Sequence, residues 1–256
     1  MPYFDEASLR RLAEGFGAVP DKAQRLTEAL LAREYVSESA KEYAHHGVCR
    51  RLSILARCIE QIYRRLPPER DEVPPREALL DTTIGIQAFV FNAYGVLDNL
   101  AFVWVKEKHV TKPNGQPLPN GRVGLTADKG EVRQSFSPEM QAYLRERDAW
   151  LAYLEGFRHS LGHRIPLYIP PYIIAPAQVN LYQDLEARMN AALFERRDLA
   201  EHARLEAEQK ALMRFRPWMK HSFTDPTPPV PFHPQVLADF ATVEEICQKV
   251  LAELDR

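Results

Sequence analysis

Hydrophobic residues recur every three or four positions through most of the chain, a spacing that predicts helices rather than strands. The clearest stripe lies between about residues 33 and 66 and stops at Pro67-Pro68, because proline cannot continue a helix. Its apolar members alternate spacings of four and three: Val48, Leu52, Leu55, Ile59, Ile62 and Leu66. We therefore predict one long amphipathic helix here.

The second predicted helix runs from about residue 81 to residue 109 and is apolar on nearly every side. Asp81, Thr82 and Thr83 are residues that commonly cap a helix N-terminus. Its central part is long enough to cross a membrane, but it carries four polar side chains: Gln87, Asn92, Asp98 and Asn99. An ionised aspartate at a bilayer centre costs about 3 kcal/mol or more. We expect the buried central helix of a soluble bundle, with no membrane contact.

Two further long helices are predicted, from Ser137-Pro138 to about residue 162 and from about residue 181 to residue 215. Residues 111–130 are rich in glycine and proline and predict an exposed loop or small hairpin outside the core. The proline-rich residues 165–180 are expected to be extended and packed over the end of the bundle. The aromatic residues among the prolines of 215–234 predict a tail strapped across the surface. A capping-box sequence at residues 242–245 predicts a short final helix.

These elements predict an all-α fold, a helical bundle of four long helices with proline-rich loops and a short C-terminal helix. We expect a single domain over residues 1–256. Its bundle core would span about residues 33–215, and the strap and short helix would occupy about 216–256.

Charge and cysteine usage narrow the class of protein. The net charge of −2 gives no overall basic surface, although 24 arginines stand against 9 lysines. Arginine presents a planar fork suited to phosphate, and coding bias produces the same excess. Three cysteines with no CxxC spacing argue against a disulfide framework or a thiolate zinc site. The first residues lack the pattern of a signal peptide, so we expect a cytoplasmic protein.

The densest chemistry lies at the end of the third predicted helix, where eight residues hold two arginines and two histidines: Phe157-Arg158-His159-Ser160-Leu161-Gly162-His163-Arg164. Histidine exchanges protons near neutral pH, and arginine matches phosphate charge. Metal-free RNA cleavage needs a base, an acid and a cation on the phosphate. Arg158 and His163 lie five residues apart, about 140° around an ideal helix. We expect Gly162 to end the helix and let His163 turn back, or a two-fold axis to bring two copies together.

Arg158 and His163, with the polar His159 after the arginine, resemble the Arg-x4–6-His signature of the HEPN family. The resemblance covers about a third of the chain, residues 82–165, and implies a helical bundle that dimerises with its motifs facing across a cleft. It implies a metal-independent endoribonuclease that leaves 2′,3′-cyclic phosphate ends, without a cofactor. Many family members are toxins or act against phage with an antitoxin or regulatory partner. Others are inactive and only bind RNA or protein.

Other interpretations of these residues remain open. Arginine and histidine at a helix C-terminus also stabilise the helix dipole. His159 and His163 have the i, i+4 spacing of two metal ligands, with His45, His46 or His202 as further ligands of a metal-binding helical-bundle enzyme.

Two polar features outside the motif complete the candidates. Asp98 and Asn99 require partners in an apolar helix; Asp98 is expected to pair with Arg145 or Arg147, or to orient Arg158 or His163. The arginine-bearing face of the 33–66 helix predicts a solvated surface, with RNA contact as the alternative.

Overall fold

The computed structural model describes residues 3–220 and 228–256, and within them the chain is mostly helical. Ten α-helices are named here for these residues: α1 (Glu6–Ala32), α2 (Glu38–Glu42), α3 (Cys49–Arg65), α4 (Arg76–Glu107), α5 (Gly130–Gln134), α6 (Pro138–Glu146), α7 (Asp148–His163), α8 (Val179–Asn190), α9 (Leu199–Lys210) and α10 (Phe232–Leu254). Two π-helical segments (Tyr43–Val48 and Ala191–Glu195) and two 3-10 turns (Asn120–Arg122 and Pro176–Gln178) connect them. Strands β1 (Trp218–Met219) and β2 (Val230–Pro231) form an antiparallel pair.

The stripe of the first predicted helix is confirmed. Its six apolar members are fully buried, and the helix ends at Arg65, just before Pro67-Pro68. It begins later than predicted, because the Ser37 side chain caps α2 by accepting a hydrogen bond from the Ala40 amide. The π segment Tyr43–Val48 then joins α2 to α3 with no non-helical residue between them.

Helix α4 is the central helix, as predicted, but it begins at Arg76 rather than near Asp81. Pro75 precedes its first turn, and Thr82, expected at the cap, is a buried residue of the helix interior. By length and composition α4 is able to cross a membrane, and 61% of its most apolar stretch of 18 residues is buried inside the protein. The buried core helix of a soluble protein has the same length and composition.

Helices α1, α3, α4 and α10 pack on one another around one hydrophobic core. Helix α1 contributes five buried positions: Leu12, Val19, Ala23, Leu26 and Leu30. The prediction of a short C-terminal helix is wrong, because α10 has 23 residues and the predicted capping box lies inside it. Thr242 there donates to the Ala238 carbonyl instead of capping. The predicted core boundaries of 33 and 215 therefore leave out two of its helices.

The third and fourth predicted helices are both interrupted. Ser137 caps α6 as expected, but the helix stops at Arg147 and α7 starts at the next residue. The fourth becomes α8 and α9, which fold back on each other around a small separate cluster of Leu185, Ala192 and Leu205. This pair is a hairpin with its own core rather than a long helix of the bundle.

The connecting segments are more buried than the sequence predicts. Residues 111–130 contain a bridge between Thr111 and Pro117, but Leu118, Val123 and Leu125 of this loop join the main core. Residues 165–175 are non-helical as predicted, with Leu167 and Ile169 buried, whereas Pro176–Gln178 form a 3-10 turn and α8 begins at Val179. Phe215 and Phe232 of the strap are fully buried, and Phe223 lies outside the described residues.

Candidate functional site between α3, α4 and α7

Helix α7 carries the arginine–histidine motif and lies against α4. Leu151, Leu154 and Phe157 are its buried face, at the spacing of an amphipathic helix. Arg158 follows this face directly and is half-buried, with its Cζ 5.6 Å from the centroid of the Tyr94 ring on α4. Within the described residues the Arg158 guanidinium makes no ion pair, so packing on an aromatic face is what holds it.

Asp98 lies one turn after Tyr94 on α4 and is half-buried. Burial raises the pKa of Asp98 to about 6, because the charged form loses water, and the positive charges of Arg158 and Arg51 offset only part of this effect. The expected pairing with Arg147 or Arg145 is wrong. Arg147 instead packs over Tyr143, 4.7 Å from Cζ to the ring centroid, and forms an ion pair with Glu245.

Glu155 links the same surface of α7 to α4. The Tyr94 hydroxyl donates a hydrogen bond of 3.1 Å to Glu155 Oε1, and burial raises the Tyr94 pKa well above its usual range. The structure thus brings Arg158 and Asp98 into one polar cluster with Tyr94 and Glu155, in which charge on Arg158 acts on Asp98.

His159 and His163 lie outside this cluster. Helix α7 ends at His163, one residue after the predicted end near Gly162, but His163 is still part of the helix and does not turn back toward Arg158 as expected. Both histidines are exposed on successive turns, with ring centroids 6.4 Å apart. Since Arg158 faces α4 and His163 faces solvent, one chain alone does not bring these two residues together.

A metal site at the paired histidines lacks further ligands in one chain. Among the described residues, no group of three or more His, Cys, Asp or Glu side chains is arranged to hold a metal ion. His45, His46 and His202, the expected additional ligands, are therefore not assembled around His159 and His163. His45 lies edge-on to the Tyr35 ring, with centroids 5.8 Å apart.

A second polar surface, which the sequence did not predict, lies near Asp98. Arg51 of α3 donates from Nη1 to Asn92 Oδ1 at 3.0 Å, and its positive charge also acts on Asp98. Asn99, one residue after Asp98, lines an open cleft with Arg51 and Arg50. The sequence signal for this surface is the pair of polar residues Asn92 and Asn99 in a mostly apolar helix.

Comparisons with protein-family models, with curated proteins and with solved structures find no match for this chain.

Proposed function

We propose that this chain is a metal-independent endoribonuclease of HEPN type, with a HEPN-like bundle of four long helices. Arg158 would hold the scissile phosphate, and His163 and His159 would transfer protons. The ribose 2′-oxygen attacks phosphorus as a base takes its proton, and an acid gives a proton to the departing 5′-oxygen. The products are a 2′,3′-cyclic phosphate end and a free 5′-hydroxyl. We place this activity in the cytoplasm, in a toxin or phage-defence context with an antitoxin or regulatory partner.

The observation that carries the proposal is the state of Arg158. Its guanidinium is half-buried and forms no ion pair with a carboxylate of the described residues, whereas many other arginines of the chain do form one. An arginine that retains its hydrogen-bond donors can bind phosphate bidentately, and two histidines follow it on the same helix. The carboxyl group of Asp98 has a pKa of about 6, close to neutral pH, and the charge of Arg158 acts on it. We assign Asp98 and Asn99 a supporting role, in which they help to position the side chains that bind and cleave the RNA.

The divergence of Arg158 and His163 around α7 supports an active site completed by a second copy. In a two-fold dimer the exposed His163 of one copy can approach the Arg158 of the other, which one chain does not allow. Proton transfer requires heavy-atom distances of about 2.6–3.2 Å, or one bridging water. The proposal therefore requires a homodimer.

The test is cleavage of a labelled RNA panel in excess EDTA. We expect wild-type protein to leave cyclic phosphate ends. His163→Ala should lower the rate by about 10²–10⁴ through loss of proton transfer. Arg158→Ala should lower it by about 10²–10³ through loss of phosphate stabilisation.

Two matched substitutions control for charge and fold. Arg145→Ala removes an exposed arginine of α6, and His202→Ala removes a histidine of α9. Both should cleave at the wild-type rate. Equal activity in all four variants would contradict the proposed centre, and cleavage that needs added metal would favour the His159–His163 pair as ligands.

A non-catalytic module that binds RNA or a protein partner is the second candidate. The exposure of His159 and His163, away from Arg158, favours it, since exposed side chains can contact a partner without any reaction. RNA binding without cleavage by a homodimer, weakened by Arg158→Ala, would support this candidate.

A further inference from the structure

An open polar cleft of about 600 Å³ lies where the π segment and α3 meet α4. It is separate from the exposed histidines of α7. Its polar lining comes from both sides: Ser39, Glu42, Tyr43, His46, Arg50, Arg51, Asn92 and Asn99. The size falls within the range of small-molecule sites in proteins, about 300–1,000 Å³.

Two glycines allow the polar side chains to approach the helix backbones. A Cβ atom at Gly95 would lie 2.5 Å from Arg51 Cζ, so the guanidinium rests directly on the α4 backbone. A Cβ atom at Gly47, in the π segment, would lie 2.9 Å from the Asn99 amide. Single-turn π segments occur often at functional sites, where the extra residue redirects side chains.

Arg51 is the main anion-binding group of the cleft. It is half-buried, its hydrogen-bond partner is the neutral amide of Asn92, at 3.0 Å, and its charge also acts on Asp98. No carboxylate of the described residues forms an ion pair with it. Arg57, further along α3, differs in this respect, because it forms an ion pair with Glu60. A guanidinium with most of its five donors unused is suited to a bidentate anion such as phosphate.

Arg50 adds a second positive charge at the edge of the cleft. It is exposed, and its Nη2 lies 3.2 Å from His46 Nδ1. Glu42 is the acidic residue in the lining, and it forms no ion pair with either arginine in the part of the chain that the structure describes. The arginine side of the cleft therefore presents net positive charge to a ligand.

The opposite wall offers neutral hydrogen-bonding groups. The Asn99 amide and the hydroxyls of Ser39 and Tyr43 line the cleft, and none of the three side chains hydrogen-bonds to another described residue. One face of the Tyr43 ring packs on Phe102, with centroids 4.6 Å apart and planes within 7°. An amide presents one donor side and one acceptor side, which matches the edge of a nucleobase.

We propose that this cleft binds a phosphorylated nucleoside. Arg51 and Arg50 bind the phosphate, and the Asn99 amide hydrogen-bonds to the edge of the base. The phosphorylated nucleoside is either a free mononucleotide or part of an RNA strand. The assignment rests on the geometry of this cleft and does not require RNA cleavage.

The experiment is calorimetric titration of the full chain with three probes: the four 5′-mononucleotides, inorganic phosphate, and a single-stranded RNA fully modified with 2′-O-methyl groups. The modified RNA has no 2′-hydroxyl to attack phosphorus, so binding is measured whether or not the protein is a ribonuclease. We expect saturable binding of a mononucleotide or of the RNA, and the tighter of the two identifies the source.

The variants test the guanidinium itself. Arg51→Ala removes it, and Gly95→Ala displaces it with a single methyl group while also favouring the helix. Both should weaken binding by about tenfold or more. Gly85→Ala is the matched control on α4, since its Cβ would make an ordinary 3.4 Å contact with Ile62, and Arg57→Ala is the arginine control. Both controls should bind as wild type.

Three results would overturn the proposal. They are no binding of any nucleotide or RNA, binding that Arg51→Ala and Gly95→Ala leave unchanged, and binding of inorganic phosphate as tight as that of nucleotides. Thermal unfolding of each variant identifies a loss of binding that comes only from a loss of fold.

Discussion

Asp98 is a carboxyl group held halfway into the protein by the most apolar helix of the chain. Burial raises its pKa to about 6, and Arg158 and Arg51 lower it without forming an ion pair with it within the described residues. At neutral pH the charged carboxylate therefore loses hydration that its neighbours do not fully replace. This balance makes Asp98 sensitive to pH just below neutrality.

The free energy of unfolding should depend on pH because of Asp98. Between the ordinary aspartate pKa and about 6, the folded chain keeps the Asp98 proton while the unfolded chain releases it. The contribution of Asp98 to the free energy of unfolding therefore falls as pH rises through this window. Asp98→Asn removes this contribution, so the variant should gain stability relative to wild type as pH rises. Urea unfolding at several pH values from 4 to about 7 measures the difference; a constant difference would contradict the raised pKa.

At the level of the element, α1 is a structural part of the core that the sequence analysis left out. Leu30 is fully buried, whereas its neighbour Leu31 is 50% exposed, and the two provide a matched pair on one helix. Leu30→Ala should lower the free energy of unfolding by about 2–5 kcal/mol, because it leaves a cavity. Leu31→Ala should lower it by less than about 1 kcal/mol. Denaturant unfolding of both variants measures these changes. An effect of Leu30→Ala as small as that expected for Leu31→Ala would contradict the place of Leu30 in the core.

The α8–α9 hairpin should unfold separately from the main core, since its apolar contacts form their own cluster. Leu205 is fully buried there, and Leu199, on the same helix, is 70% exposed. Leu205→Ala should speed amide hydrogen exchange across residues 179–210 and leave exchange in α3 and α4 unchanged. Leu199→Ala should change neither region. Faster exchange throughout the chain of the Leu205 variant would show that the hairpin and core unfold together.

At the scale of the whole molecule, strong local patterns were predictable and long-range placement was not. The stripe of α3 was found because its burial repeats with the helix period. The start of α4 was misplaced because Asp81 and Thr82 have cap chemistry, although Pro75 precedes the first turn. The capping-box sequence inside α10 was misleading for the same reason, because such sequences also occur within helices.

In the candidate site, too, local patterns were predictable and long-range placement was not. Arg158, His159 and His163 could be identified from a local motif, and the structure gives their directions. The placement of Arg51 beside Asn92 joins residues 41 positions apart, which no local spacing reveals. Gly95 would have been the useful signal, since a glycine within an apolar helix often marks a close approach.

We propose that two copies of this chain form a dimer with two RNA-cleaving centres, each with Arg158 from one copy and His163 from the other. The most direct test mixes the Arg158→Ala and His163→Ala variants under conditions of subunit exchange and measures RNA cleavage in excess EDTA. Half of the dimers should be mixed, and each mixed dimer has one of its two centres intact, so activity should recover to about a quarter of wild type. A mixture no more active than the separate variants, beside an active wild type, would contradict the shared centre.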